Sequence, residues 1–142
     1  MPGFDAQTLA AAALQARHSA YAPYSRFAVG AALLGESGQV YTGCNVENAA
    51  YGVSNCAERT ALFKAVSEGE RRFLAIAIAG GVLDAQPPLD SCPPCGVCRQ
   101  ALNEFCPPDL PVLLVRAGGQ YEAHTLGQLL PHGFGPQNLA GQ

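Results

Sequence analysis

Two short clusters hold most of the residues able to do chemistry: Cys56-Ala57-Glu58-Arg59, and, thirty-nine residues after its cysteine, Pro94-Cys95-Gly96-Val97-Cys98-Arg99-Gln100. One thiol answered by a close pair suits a tetrahedral metal better than it suits disulfides. Zinc takes thiolate sulfur readily, and two sulfurs three residues apart at a helix start can reach the same ion. A structural zinc site usually closes with four protein ligands, whereas a catalytic one keeps three and leaves a place for water. Cys56, Cys95 and Cys98 supply three. Glu58, two residues after the first, is close enough to exchange a proton with that water. An ion that acidifies water beside a carboxylate that carries the proton is hydrolytic machinery, and the expectation is one Zn2+ per chain.

Both clusters fall where an extended segment should give way to a helix. Unpaired N–H groups and the positive end of the helix dipole gather there, lowering thiol pKa and favouring thiolates. Cys92 opens an alternative, because Cys92, Cys95 and Cys98 form two overlapping Cys-x-x-Cys pairs. A closed four-cysteine zinc or iron–sulfur module would then replace an enzyme. Pro93-Pro94 argues against it by denying Cys92 the helical geometry of the other two. Three thiolates on Zn2+ leave one net negative charge, which opposes forming hydroxide. Arg59, in the first helical turn, can donate hydrogen bonds to the sulfurs and draw that charge off; a solvated surface arginine is the plainer alternative.

The elements that must position these groups follow from pattern. Asp5 is a plausible N-cap for an alanine- and leucine-rich helix ending near His18. Phe27 to Leu34 reads as a largely buried strand, Gly35-Glu36-Ser37-Gly38 as a tight turn, and Val40 to Asn45 as its hairpin partner. Cys56 opens a second helix running to about Ser67, with Gly69 where the chain should leave it. Phe73 to Ala79 is an almost unbroken apolar run, as in a strand covered on both faces. A proline-rich loop leads to a third helix, roughly Cys95 to Phe105. Pro111 to Val115 is a further strand, followed by a short segment near Tyr121–Thr125 and one or two helical turns over Leu126–Leu130. The order predicts an α/β three-layer sandwich with a central mixed five-stranded sheet flanked by helices. Residues 1–142 read as one domain with a short flexible tail after about 136.

Composition limits the partners. Charged residues are 13% of the chain, about half the usual ~25%, which hints at further burial by oligomerisation. The net charge is −3, and Arg71-Arg72 is the only adjacent basic pair, so no basic stripe is available to neutralise a phosphate backbone. No nucleic-acid partner is expected. Met1-Pro2-Gly3-Phe4-Asp5 lacks the basic segment and apolar run of a secretory signal. The longest apolar runs fall far short of the ~20 residues that span a bilayer, so no membrane partner is expected and a cytoplasmic, reducing setting is the default. Six cysteines there are ligands or buried thiols rather than a disulfide framework; Cys44 and Cys106 read as small buried hydrophobes.

Four motifs in order carry a closer likeness. Phe27-Ala28-Val29-Gly30-Ala31-Ala32-Leu33, Cys44-Asn45-Val46-Glu47-Asn48-Ala49-Ala50-Tyr51, Cys56-Ala57-Glu58-Arg59-Thr60-Ala61 and Pro94-Cys95-Gly96-Val97-Cys98-Arg99-Gln100 resemble the small homotetrameric zinc-dependent cytidine deaminases. The likeness covers about Tyr24 to Pro136. It implies hydrolytic deamination of cytidine and deoxycytidine to uridine and deoxyuridine, with release of ammonia, in pyrimidine salvage. It also implies Cys56, Cys95 and Cys98 as zinc ligands and Glu58 as proton shuttle. Asn45 and Glu47 resemble the pair that hydrogen-bonds the sugar, especially its 3′-hydroxyl. Phe27 is similar to the aromatic against which the pyrimidine packs, and the Ala57 N–H to a contact with the base. Tyr51 and Phe134 resemble residues that reach a neighbouring subunit's site in a homotetramer. Blasticidin-type antibiotic deaminases share the Cys-Ala-Glu and Pro-Cys-Gly-x-Cys-Arg-Gln motifs and are the alternative; Asn45 and Glu47 argue for a ribose ligand instead.

Overall fold

The computed structural model describes residues 3–83 and 91–139. Asp5 caps helix α1 (Ala6–Ala16), its carboxylate accepting from the backbone N–H groups of Gln7 and Thr8. The helix ends two residues short of His18 and passes into a 3₁₀ turn, Arg17–Ser19. There the Arg17 side chain donates to Ala28 O at 2.9 Å and Gly81 O at 2.9 Å. It pins the chain where two strands meet.

Strand β1 (Phe27–Gly35) turns through Gly38, at φ 93°, into antiparallel β2 (Val40–Cys44). Helix α2 (Ala57–Ser67) follows, and Gly69 at φ 100° lets the chain leave it, a conformation that costs glycine little. Strand β3 (Phe73–Val82) pairs antiparallel with β1, and helix α3 (Gly96–Phe105) carries the chain across to β4 (Pro111–Val115), parallel to β3. Strand β5 (Tyr121–Thr125) is antiparallel to β4, giving one mixed sheet in the order β2-β1-β3-β4-β5. Helix α4 (Leu126–Leu129) begins with a reciprocal cap between Thr125 and Gln128. A loose tail is expected after about 136, yet a turn of helix, α5 (Pro136–Leu139), forms there. Asn138 holds it, its Oδ1 accepting from Gly135 N at 2.8 Å. The proline-rich connection expected after β3 lies largely outside the described residues.

The two faces of the sheet are packed differently. Along β3, Ile76 and Ile78 join Leu62 of α2 and Leu102 of α3 in one core, whereas Ala75, Ala77 and Ala79 pack with Leu9, Ala10 and Ala13 of α1 in the other. Alternation of large and small side chains on a strand covered on both faces sets α1 close to the sheet and leaves room for two helices opposite. The layers are therefore α1, the sheet, and α2 with α3. Among the described residues no helix is long and apolar enough to cross a membrane.

Strand β2 meets α2 at Gly43 more closely than any side chain permits. A Cβ there would lie 2.5 Å from Ala61 N and 2.7 Å from Ala57 O, both backbone atoms of the helix that begins beside Cys56. Gly43→Ala must push that first turn off the sheet. Overpacking of this kind costs about 1–3 kcal/mol. Urea unfolding should show a lower midpoint with an unchanged slope, and metal retention should fall in parallel.

Candidate active site

Cys56 and Cys95 are the N-cap residues of α2 and α3, each with extended backbone (ψ 157° and 168°) and neither thiol capping its own helix. The sulfurs are thus free to turn toward each other across the two helix starts. Cys56 Sγ lies 3.7 Å from Cys95 Sγ, and Cys95 Sγ lies 3.5 Å from Cys98 Sγ. All three fall within 4.8 Å of one another. Zinc–sulfur bonds of ~2.3 Å in a tetrahedron place sulfurs about 3.8 Å apart. The donor set and spacing fit that ion, and three sulfurs leave a fourth position. Cys92 is not one of this group. It turns instead onto β3, over Gly80, where an added Cβ would lie 2.6 Å from its sulfur and 3.1 Å from Phe27 Cε2. A closed four-cysteine module does not form here.

Charge is distributed unevenly among the thiols. A hydrogen bond from Cys98, helped by Arg59 and Cys95, pulls Cys56 down to about 5 against the effect of burial. The same contact, with burial, pushes Cys98 up. Arg59 Nη2 donates to Cys56 Sγ at 3.2 Å. Against the cost of burial, its bonds to the Cys56 and Cys98 sulfurs keep the guanidinium charged. Its Nε is buried without a hydrogen-bond partner among the described residues. Burial pushes Cys92 up to about 11, with the Glu58 charge adding to it.

Glu58 is 4% exposed. Burial above all, with the negative charge on Cys56 adding to it and backbone and Arg59 contributions opposing, raises its carboxyl to about 7. A carboxyl poised near neutrality can both take and give a proton. It lines a cleft of about 320 Å³ together with Cys56, Ala57, Cys95, Phe27, Asn45 and Glu47. A larger groove of about 640 Å³ lies at the other end of the sheet, beside Phe73, Pro111 and His124, far from any thiol cluster.

Asn45 and Glu47 follow β2 and are tied to the start of β1. Asn45 accepts from Val29 N at 2.9 Å and donates to Phe27 O at 2.8 Å. Glu47 accepts from Tyr24 N at 3.0 Å and Ser25 N at 3.1 Å. Tyr51 and Phe134, expected to act on a neighbour, do not line this cleft. Tyr51 is 74% exposed and stands edge-on to Tyr24 at 5.9 Å between ring centroids. Phe134 is 58% exposed, its carbonyl held by Gln100 Nε2 at 2.7 Å and Asn103 Nδ2 at 3.0 Å.

Sequence reasoning missed three contributors. Ser25, Ser54 and Asn55 line the cleft, and polar residues in loops give no signal of their own. The roles of Arg99 and Gln100 were also hidden, although the motif contains both. Arg99 donates to Pro94 O at 2.7 Å and Leu129 O at 2.6 Å, fixing the loop before Cys95 to the end of α4. Gln100 secures Phe134.

A mixed sheet that delivers one thiol and a thiol pair to neighbouring helix starts, with a buried carboxylate in the adjoining cleft, defines a hydrolytic zinc protein. The chain belongs to the cytidine and deoxycytidylate deaminase family: the family model for the zinc-binding region matches residues 4–114. It is 49% identical to a cytidine deaminase of Sporosarcina psychrophila over 136 residues, covering 96% of each chain. It is 51% identical to that of Halalkalibacterium halodurans over 135 residues, covering 95% of this chain and 98% of the other. The crystal structure of cytidine deaminase from Burkholderia pseudomallei superposes with a TM-score of 0.81 at 47% identity, covering 92% of this chain and 100% of that one. The cofactor is zinc.

Arg59→Gln should keep the fold and the three sulfurs. Loss of the hydrogen bond to Cys56 should weaken metal retention or turnover by about 10–100-fold. Competition with a chromogenic chelator measures the first and ammonia release the second; no change in either would return Arg59 to an inert role.

Proposed function

We propose that this chain deaminates cytidine and deoxycytidine to uridine and deoxyuridine, consuming water and releasing ammonia. Its site is assigned as Cys56, Cys95 and Cys98 for zinc, Glu58 for proton transfer, and Phe27, Asn45, Glu47 and Ala57 for substrate. The observation that carries the assignment is one cleft lined by Cys56 and Cys95, whose sulfurs cluster with that of Cys98 behind it, by a buried carboxylate and by a second carboxylate held by backbone N–H groups. The names borne by the similar proteins support the same substrate. A blasticidin-type antibiotic lacks the ribose that Asn45 and Glu47 would serve.

Zinc supplies Lewis acidity, which lowers the pKa of water toward about 7. Glu58 takes a proton from the attacking water and passes it to ring N3, making C4 electrophilic. It then helps protonate the amine leaving C4, so one carboxylate acts as base and acid in turn. Phe27 walls the pyrimidine, and the Ala57 N–H, at the first turn of α2, bonds the base. Glu47 and Asn45 hold the sugar. Burial of Glu58 keeps the proton from bulk water during the transfer.

The setting proposed is pyrimidine salvage in the cytoplasm, which suits six free cysteines. The chain is read as a single deaminase-like domain over 1–142 and as a homotetramer whose sites are shared between subunits. Exposure of Tyr51 and Phe134 at the surface, on a chain with few charges to cover it, supports that assembly.

Glu58→Gln should bind one zinc per chain and lose nearly all turnover. If that variant purifies without metal, Glu58 is a ligand and the assigned role fails. For the assembly, inactive Glu58→Gln chains mixed with inactive Phe134→Ala chains should regain activity on subunit exchange. Full activity in a sedimenting monomer would remove shared sites from the account.

A further inference from the structure

Glu47 is gripped by one short stretch of chain. Tyr24 N and Ser25 N both donate to its Oε1, and the Ser25 hydroxyl donates to its Oε2 in a short hydrogen bond. The same hydroxyl oxygen accepts from Phe27 N at 3.0 Å. A hydroxyl has one proton to give. With Phe27 N–H occupying a lone pair of the oxygen, that proton goes to Glu47. The Ser25 hydroxyl, before the backbone bonds, also keeps the Glu47 carboxyl below its ordinary range, so Glu47 stands ionised as an acceptor. An ionised carboxylate offers about four lone-pair positions. Among the described residues three donors fill such positions, and one position remains for a donor in the cleft.

The backbone is shaped to hold this arrangement. Between Ser25 and Phe27 the chain passes through Arg26 at φ 57°, a left-handed conformation uncommon outside glycine. Arg26 N donates to Ala22 O at 3.0 Å and Leu83 N to Arg26 O at 2.6 Å, which fixes the turn from both sides. Because of it, Ser25 faces Glu47 while Phe27 enters β1 as a wall of the cleft. A serine side chain here touches both the acid and the aromatic residue's backbone.

We propose that Ser25 is a positioning residue for sugar recognition. Its hydroxyl holds Glu47 in one orientation with a single open acceptor position, and couples that orientation to the place where Phe27 meets the base. The assignment rests on the reading of Glu47 as the sugar contact. It explains how a half-exposed loop carboxylate discriminates a hydroxyl: a freely rotating Glu47 would bond water equally well.

The test compares zinc-loaded wild-type, Ser25→Ala, Ser25→Thr and Glu47→Gln chains on cytidine and 3′-deoxycytidine. Ser25→Ala should raise KM for cytidine about tenfold, in keeping with loss of one hydrogen bond to a charged group, with kcat within about twofold. The preference for cytidine over 3′-deoxycytidine should shrink, and Ser25→Thr, which keeps the hydroxyl, should restore it. An unchanged preference in Ser25→Ala, or a fall in kcat alone, overturns the proposal. If Glu47→Gln abolishes the preference while Ser25→Ala leaves it, the proposal fails and the sugar role of Glu47 stands. If Glu47→Gln also leaves it intact, the underlying reading of Glu47 fails. Should Ser25→Ala not fold, as seen by thermal unfolding, Ser25→Cys takes its place. Its weaker donor should give a smaller loss of the same kind, and an unchanged preference there overturns the proposal equally.

Discussion

Three sulfurs gathered within 4.8 Å repel one another once they ionise. Two unit charges about 4 Å apart cost about 4 kcal/mol at an effective dielectric near 20. The rest of the structure around the site can be understood as the answer to that repulsion. Two helix starts each bring roughly half a positive charge, and Arg59 brings a whole one directly to Cys56. Zinc completes the balance. None of these donors works at a distance, so α2 and α3 must begin side by side, and the sheet must be built to make them do so.

That requirement reaches the far layer of the protein. The alanine face of β3 lets α1 lie close on one side, while the isoleucine face supports α2 and α3 on the other. Gly43 brings α2 down onto β2, and Arg99 holds the loop before Cys95 against the end of α4. Small residues and backbone-directed arginines thus set the sulfur spacing without touching the sulfurs. Gly80 acts likewise: it opens the space that Cys92 fills beside Phe27, which keeps a fourth thiol near the site yet out of the cluster.

Most of the architecture was legible because it is written in period and punctuation. The apolar run from Phe73, the cap at Asp5 and the glycine at 69 each act through their own few neighbours, and the structure agrees with them. The thiol cluster was legible for a different reason: few uses of three cysteines and a glutamate at this spacing exist. What escaped depends on contacts between segments distant in sequence. The extension of β3 to Val82 has β1 beside it, whereas in the sequence Gly80-Gly81 reads as the end of the run. The short helix at Pro136–Leu139 rests on a side-chain bond by Asn138. Ser25 and Arg99 look like ordinary polar residues until the fold shows what they bond. Phe134 and Tyr51 stand at the surface of this chain, where a single fold gives them little to pack on.

The parallel pairing of β3 with β4 has a consequence for how the chain is made. Parallel neighbours need a crossover, and here the crossover is α3, which carries Cys95 and Cys98 at its start. A nascent chain therefore displays β1, β2, α2 and β3 with Cys56 in place and no companion sulfur. The three-sulfur set is complete only when the start of α3 lies beside the start of α2. Chains ending before Cys98 hold at most two of the three sulfurs, so the site joins the start of an earlier-made helix to that of a later-made one.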